Sequence, residues 1–219
     1  MYHNLNATVW KALQDREDGT KIFESAAMAF IMVQGIVGNC LVITVTCCNS
    51  KLHTIANYLI LNLAVSDMLM VCIDMPISLY ALTVSDWTFG LVVCYFHSFT
   101  IFWFGIVCLF TLAIISLNRY YYICKFSNYS KIFNHNTVKV IIGIVWFVSA
   151  VISAMCLVPQ WSNVEYSPGH SSCMPNFKSS SVIFCIILLV VAILIPNCTY
   201  ACLLSTHLSH SSQEQEECE

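Results

Sequence analysis

Between residues 91 and 117 the chain carries no Lys, Arg, Asp or Glu, and Arg119 follows almost at once. Charge is costly in hydrocarbon, so an arginine in this setting marks a membrane interface or a paired site. Cys94 stands near the other end of the run, 119 − 94 = 25 residues upstream. A helix of that length spans roughly 37 Å, more than a hydrocarbon core of about 30 Å. Four further apolar runs are also long enough, giving five spans at about 22–48, 57–84, 91–123, 138–158 and 180–206. A helix satisfies its own backbone in lipid, whereas a membrane barrel would show short alternating segments. The expected fold class is an all-α membrane helix bundle of five transmembrane helices. A 10% charged fraction, beside 58% hydrophobic residues, sits far below the soluble average of about 25%. The net charge of −3 argues against a nucleic-acid partner.

Basic residues orient the bundle. Lys51 follows the first span, and Arg119, Lys125, Lys131 and Lys139 follow the third, with no acid in either loop. The opposite loops hold only Lys178, although the N-terminal tail has Lys11, Arg16 and Lys21. The positive-inside rule puts the N-terminus outside and the C-terminus in the cytoplasm. Residues 1–21 then form an extracellular tail, 22–206 the membrane domain and 207–219 an acidic cytoplasmic tail. The first nineteen residues lack a signal-peptide core, so the first span serves as the insertion signal. Of three sequons, at Asn6, Asn128 and Asn197, Asn6 alone lies outside and is the expected glycosylation site.

The 13 cysteines resemble a disulfide framework until they are threaded onto these spans. Only Cys94 and Cys173 then fall clearly on the oxidising side, and a bridge between them is expected. The rest act as small buried apolar residues. Cys198 and Cys202, with His207 and His210 beyond, lack anything to complete a ligand set, so no metal is expected.

An ordered set of motifs runs along the spans. Gly38-Asn39 stands in the first, and Asn62-Leu63-Ala64-Val65-Ser66-Asp67 with Pro76 in the second. Trp87-Thr88-Phe89-Gly90 precedes Cys94, Asn118-Arg119-Tyr120 closes the third, Trp146 marks the fourth and Pro196 the fifth. In this order the chain resembles the rhodopsin-like (class A) G protein-coupled receptors. Within them it is most similar to melatonin-type receptors, through Asn118-Arg119-Tyr120-Tyr121-Tyr122-Ile123-Cys124, Tyr129-Ser130-Lys131-Ile132-Phe133, and Tyr166-Ser167-Pro168 ahead of Cys173. Three ligand-contacting positions of that group depart from its pattern, carrying Gln160, Glu165 and Ala192, which argues against melatonin itself. Opsins are a similar group, but their retinal lysine lies in a seventh helix beyond this sequence. A seven-helix receptor cut after five spans is expected to be a fragment or a truncated product that does not signal normally alone.

The resemblance implies roles. Asn118, Arg119 and Tyr120 would meet a heterotrimeric G protein, with Asn118 standing where the family's acid restrains the arginine; the plainer reading is a snorkelling arginine. Asp67 is either a structural residue bonded to Asn39 or the centre of a sodium site in which Cys108 replaces the usual serine. Asp74, seven residues on, is either a hydrated residue near the mouth or a ligand contact. Amine receptors carry an aspartate where this chain has Ile101. A pocket would be lined by His97, Ile101, Phe102 and Gly105 from the third helix, Phe184, Leu188 and Ala192 from the fifth, and Asp74 and Glu165. Such a lining suits a small lipophilic ligand. The implied location is the plasma membrane. No nucleophile, paired-carboxylate or metal motif marks an enzyme, and no repeat or broken helix marks a transporter.

Overall fold

The computed structural model describes residues 17–124, 126–159 and 162–177. Helix α1 runs Asp18–Cys48 and a 3-10 turn follows at Ser50–Leu52. Helix α2 covers Ile55–Val84 in two α-helical parts, Ile55–Leu69 and Met75–Val84, joined by a π turn at Met70–Asp74. Helix α3 is Gly90–Cys124, α4 the short Phe126–Ile132, and α5 His135–Cys156. Strands β1 (Ser162–Ser167) and β2 (Ser172–Phe177) form an antiparallel hairpin. Helices α1, α2, α3 and α5 are each long and apolar enough to cross a membrane. They match the first four expected spans to within a few residues; the fifth span lies outside the described residues.

Local chemistry explains the helix ends. The Thr54 hydroxyl accepts from the Asn57 amide at 3.4 Å, and Asn134 Oδ1 accepts from the Thr137 amide at 2.9 Å, so both α2 and α5 open on N-caps. Ser85 closes α2 in the left-handed region at φ 59°. The π turn has its cause in Pro76, which lacks an amide proton and so cannot continue the α pattern. The Met75 N–H reaches the Met70 carbonyl instead, five residues back.

Helix α3 is the centre of the bundle, packing on α2 along one side and on α5 along another. Gly35 brings α1 close to α2: a Cβ there would stand 2.9 Å from a Val71 methyl carbon. At the Arg119 end Leu59, Phe133 and Val138 form a core with Ile114, Leu117, Tyr121 and Tyr129 around it. At the opposite end Cys94, Cys173 and Val164 pack under Trp87, Tyr95 and Tyr166. Large apolar side chains such as Ile31, Leu41, Ile144 and Phe147 face outward from α1 and α5. A lipid-facing surface is apolar in this way, because every element that crosses must present hydrocarbon to hydrocarbon.

Candidate functional site

Three polar clusters and one crosslink lie along α3. Near mid-span Asn62 Nδ2 donates to Thr111 Oγ1 at 2.9 Å, and Trp146 Nε1 donates to Asn62 Oδ1 at 2.8 Å. Thr111 Oγ1 in turn donates to the Val107 carbonyl at 2.6 Å. One amide thereby ties α2, α3 and α5. Trp146 also presents its edge to Trp103, whose indole N–H donates to the Trp146 carbonyl at 3.0 Å. In the sequence Asn62 and Trp146 stand as motif residues alone, with no bond between them implied. The available signal was an amide inside an apolar run, which has to find partners there.

The Asp67 cluster differs from its expected form. The Cys108 thiol donates to Asp67 Oδ1 at 3.0 Å and lies 3.3 Å from Ser66 Oγ. Asn39 does not join it: Nδ2 donates to the Gly35 carbonyl at 2.9 Å, one turn back on α1. The expected Asn39–Asp67 bond gives way to this local one, a pattern open to any side-chain amide that can reach its own helix backbone.

Further along α2 the π turn carries Asp74, the one buried carboxylate among the described residues, at 2% exposure. Thr100 Oγ1 donates to its Oδ1 at 2.5 Å, while Oδ2 has no partner among the described residues. His97 Nε2 lies 3.1 Å from Ser78 Oγ and 3.2 Å from the Asp74 carbonyl; His97 Nδ1 is buried without a partner among the described residues. Asp74 and His97 are thus brought together as expected site residues, joined by Ser78 and Thr100, which sequence reasoning missed. Both are closed into the α2–α3 seam. Ile101, Phe102 and Gly105 are half-buried on α3, and the atom nearest a Cβ on Gly105 would be Met70 Cε of α2, at 3.9 Å. Glu165 is exposed on β1. Asn6, Gln160, Phe184, Leu188 and Ala192 lie outside the described residues.

Cys94 at the start of α3 is bonded to Cys173 of β2, with Cα atoms 5.3 Å apart. The bridge holds the hairpin over the end of the bundle, where Tyr166 OH donates to the Ala81 carbonyl at 3.4 Å. Trp87 sits beneath it, 6.0 Å from the Tyr166 ring and 5.4 Å from the His97 ring.

At the other end of α3, neighbouring residues part company. Asn118 is buried and its Nδ2 donates to Tyr129 OH of α4 at 3.2 Å. Tyr129 also stacks on Phe133. Arg119 is exposed, and its side chain makes no ion pair or hydrogen bond with a described residue. Tyr120 is half-buried against the edge of Tyr121.

These features agree with what the chain is similar to. A family profile, "7 transmembrane receptor (rhodopsin family)", matches residues 38–218. The melatonin receptor type 1C of Xenopus laevis is 28% identical over 190 residues, covering 84% of this chain and 44% of that receptor. The melatonin receptor type 1B-A of Danio rerio is 29% identical over 174 residues, 78% of this chain and 59% of that receptor. Melanopsin-B of Gadus morhua is 35% identical over 151 residues, 69% of this chain and 24% of that protein. The chain therefore spans less than two thirds of the length of each. With the match running through the spans, the mid-span triad and the arginine at the end of α3, this multi-pass membrane protein belongs to the rhodopsin family of seven-transmembrane receptors.

Proposed function

We propose that this segment forms the sensing and coupling part of a receptor that passes an extracellular small-molecule signal to a heterotrimeric G protein. The observation that carries the reading is the contrast at the end of α3. Asn118 is held by Tyr129, and the exposed Arg119 side chain has no partner among the described residues, which leaves its donors for one. A carboxylate at position 118 would restrain the arginine more strongly than a neutral amide can. The receptor sits in the plasma membrane with Asn6 outside, since Lys51, Arg119, Lys131 and Lys139 share the opposite side. It acts by changing shape, not by catalysis.

The ligand is small and lipophilic, bounded by Ile101 and Phe102 of α3, with Asp74 as the polar group of the seam. Gln160, Glu165 and Ala192 argue against melatonin. Asp67 belongs to a hydrogen-bonded network and not to a sodium site: the sulfur of Cys108 is a soft donor and Asn39 is turned to its own helix, whereas a hard cation takes several oxygens. A second reading, a light receptor, rests on the 35% identity to melanopsin-B.

Nucleotide exchange decides the coupling claim. In a seven-helix receptor containing this segment, Arg119→Ala is expected to lower agonist-independent exchange by about tenfold at equal surface expression, and Asn118→Asp to lower it less. About tenfold corresponds to 1.4 kcal/mol, within the range of one charge-assisted contact. Unchanged exchange in Arg119→Ala would remove the arginine from the mechanism.

A further inference from the structure

We propose that Cys47 and Cys48, at the end of α1, form an S-acylation site for a long-chain fatty acyl group. The inference rests on the membrane orientation proposed above, which puts these residues on the cytoplasmic side. Both thiols are free and exposed, as are Cys40 and Cys72, so the expectation that these cysteines are small buried residues does not hold for them. They occupy the last turn of α1, and Asn49 ends that helix in an extended conformation.

Depth sets them apart from the other exposed thiols. Glu24 is the last charge before the apolar run of α1 and Lys51 the first after it. A core of about 30 Å takes about 20 residues of helix, which from Ser25 ends near Val45. Cys47 and Cys48 therefore stand just past the hydrocarbon boundary, where an interfacial transferase and its acyl donor meet. Cys40 lies roughly 12 Å deeper along the same helix. Cys72, also exposed, is mid-span in the π turn of α2.

The surroundings suit a lipid chain. Cys47 lines a cavity of about 240 Å³ together with Thr46, Leu52, His53, Tyr58 and Leu61, between the end of α1 and the start of α2. Its wall is largely apolar, and it admits the first part of a chain whose remainder continues into the bilayer. Lys51 lies beyond, in a turn fixed by its own amide donating to Asn49 Oδ1 at 3.1 Å. A cation at this depth is drawn to anionic headgroups, which holds the segment at the surface. Juxtamembrane cysteines in such settings accept acyl groups reversibly.

The chemistry is a thioester exchange. The cysteine sulfur attacks the acyl carbonyl of a long-chain acyl thioester, a C–S bond forms to the protein, the donor's C–S bond breaks, and the donor leaves as a thiol carrying the cysteine's proton. No electrons are gained or lost. Burying the acyl chain would pin the α1–α2 turn to the bilayer surface.

The test is acyl exchange on the 219-residue chain expressed in eukaryotic cells. Hydroxylamine releases thioesters, each freed thiol takes a mass tag, and peptide mapping locates it, while an N-terminal epitope is stained on intact cells. The expected result is one or two hydroxylamine-dependent tags at Cys47 and Cys48. Those tags should disappear from the Cys47→Ser/Cys48→Ser variant and persist in Cys40→Ser and Cys72→Ser. Mapping of the unsubstituted chain keeps the question answerable if the double variant expresses poorly. No tag at either cysteine with the epitope outside overturns the acylation site alone. No tag with the epitope inside overturns the orientation, and the site falls with it.

Discussion

Two polar clusters lie in the same α2–α3 seam, roughly 18 Å apart along α2 by helical rise, and they are built to opposite standards. At mid-span Asn62 uses both ends of its amide, donating to Thr111 and accepting from Trp146. Toward the disulfide, Asp74 has one oxygen bonded by Thr100 and the other bare, and His97 Nδ1 is bare as well. A satisfied buried network fixes one packing, whereas a half-satisfied one leaves groups able to take a further donor. The first cluster therefore holds the helices together, and the second keeps unpartnered polar atoms inside the seam.

Substitutions can break that contrast. The largest effect is expected at the disulfide, which roofs the second cluster and leaves the first untouched. Cys173→Ser should cost about 2–5 kcal/mol, read as a drop in apparent melting temperature of the chain in detergent. An unchanged melting temperature would mean that the hairpin is held without the bond. Next is Asn62→Leu, which strands the Trp146 indole N–H and removes two bonds. A loss of about 1–3 kcal/mol is expected from bonds of this kind in a membrane protein. Trp146→Phe keeps a six-membered aromatic ring and removes the donor with the smaller ring, so the same melting experiment should register about 1 kcal/mol. The smallest effect is expected for Asp74→Asn. The amide still accepts from Thr100 and exchanges one unpartnered atom for another, so stability should move by less than about 0.5 kcal/mol. If Asp74→Asn proved costlier than Asn62→Leu, the ranking of the two clusters would be reversed.

Legibility in the sequence followed the kind of force involved. Spans were readable because apolar length is a property of one segment; α1, α2, α3 and α5 fall where the uncharged runs lie. Cys94–Cys173 was readable because the orientation expected from the basic residues left few cysteines on an oxidising side, and the bond is present. The hairpin at 162–177 was not, since the alternation of β1 runs over only a few residues and Pro175 sits within β2. Helix α4 was hidden too, as a short piece held by Tyr129 meeting Asn118 and Phe133. Thr100 and Ser78 could not be chosen among the many hydroxyls of the spans until α2 and α3 were placed side by side. Asn39 shows the reverse error: a motif suggested a long-range bond, and the side chain took the carbonyl one turn away.

The wide turn at Met70–Asp74 divides α2 into two rods that keep separate phases. An inserted or lost residue in a 3.6-residue repeat rotates everything beyond it by about 100°. Ser78, Ala81 and Leu82, buried beyond the turn, owe their inward aim to it, while Tyr80 and Val84 point out. A one-residue deletion between Met70 and Pro76 would act as a crank on the disulfide-end rod alone. It would swing Ser78 off His97 and bring a lipid-facing flank inward, with the Asn62 rod keeping its setting.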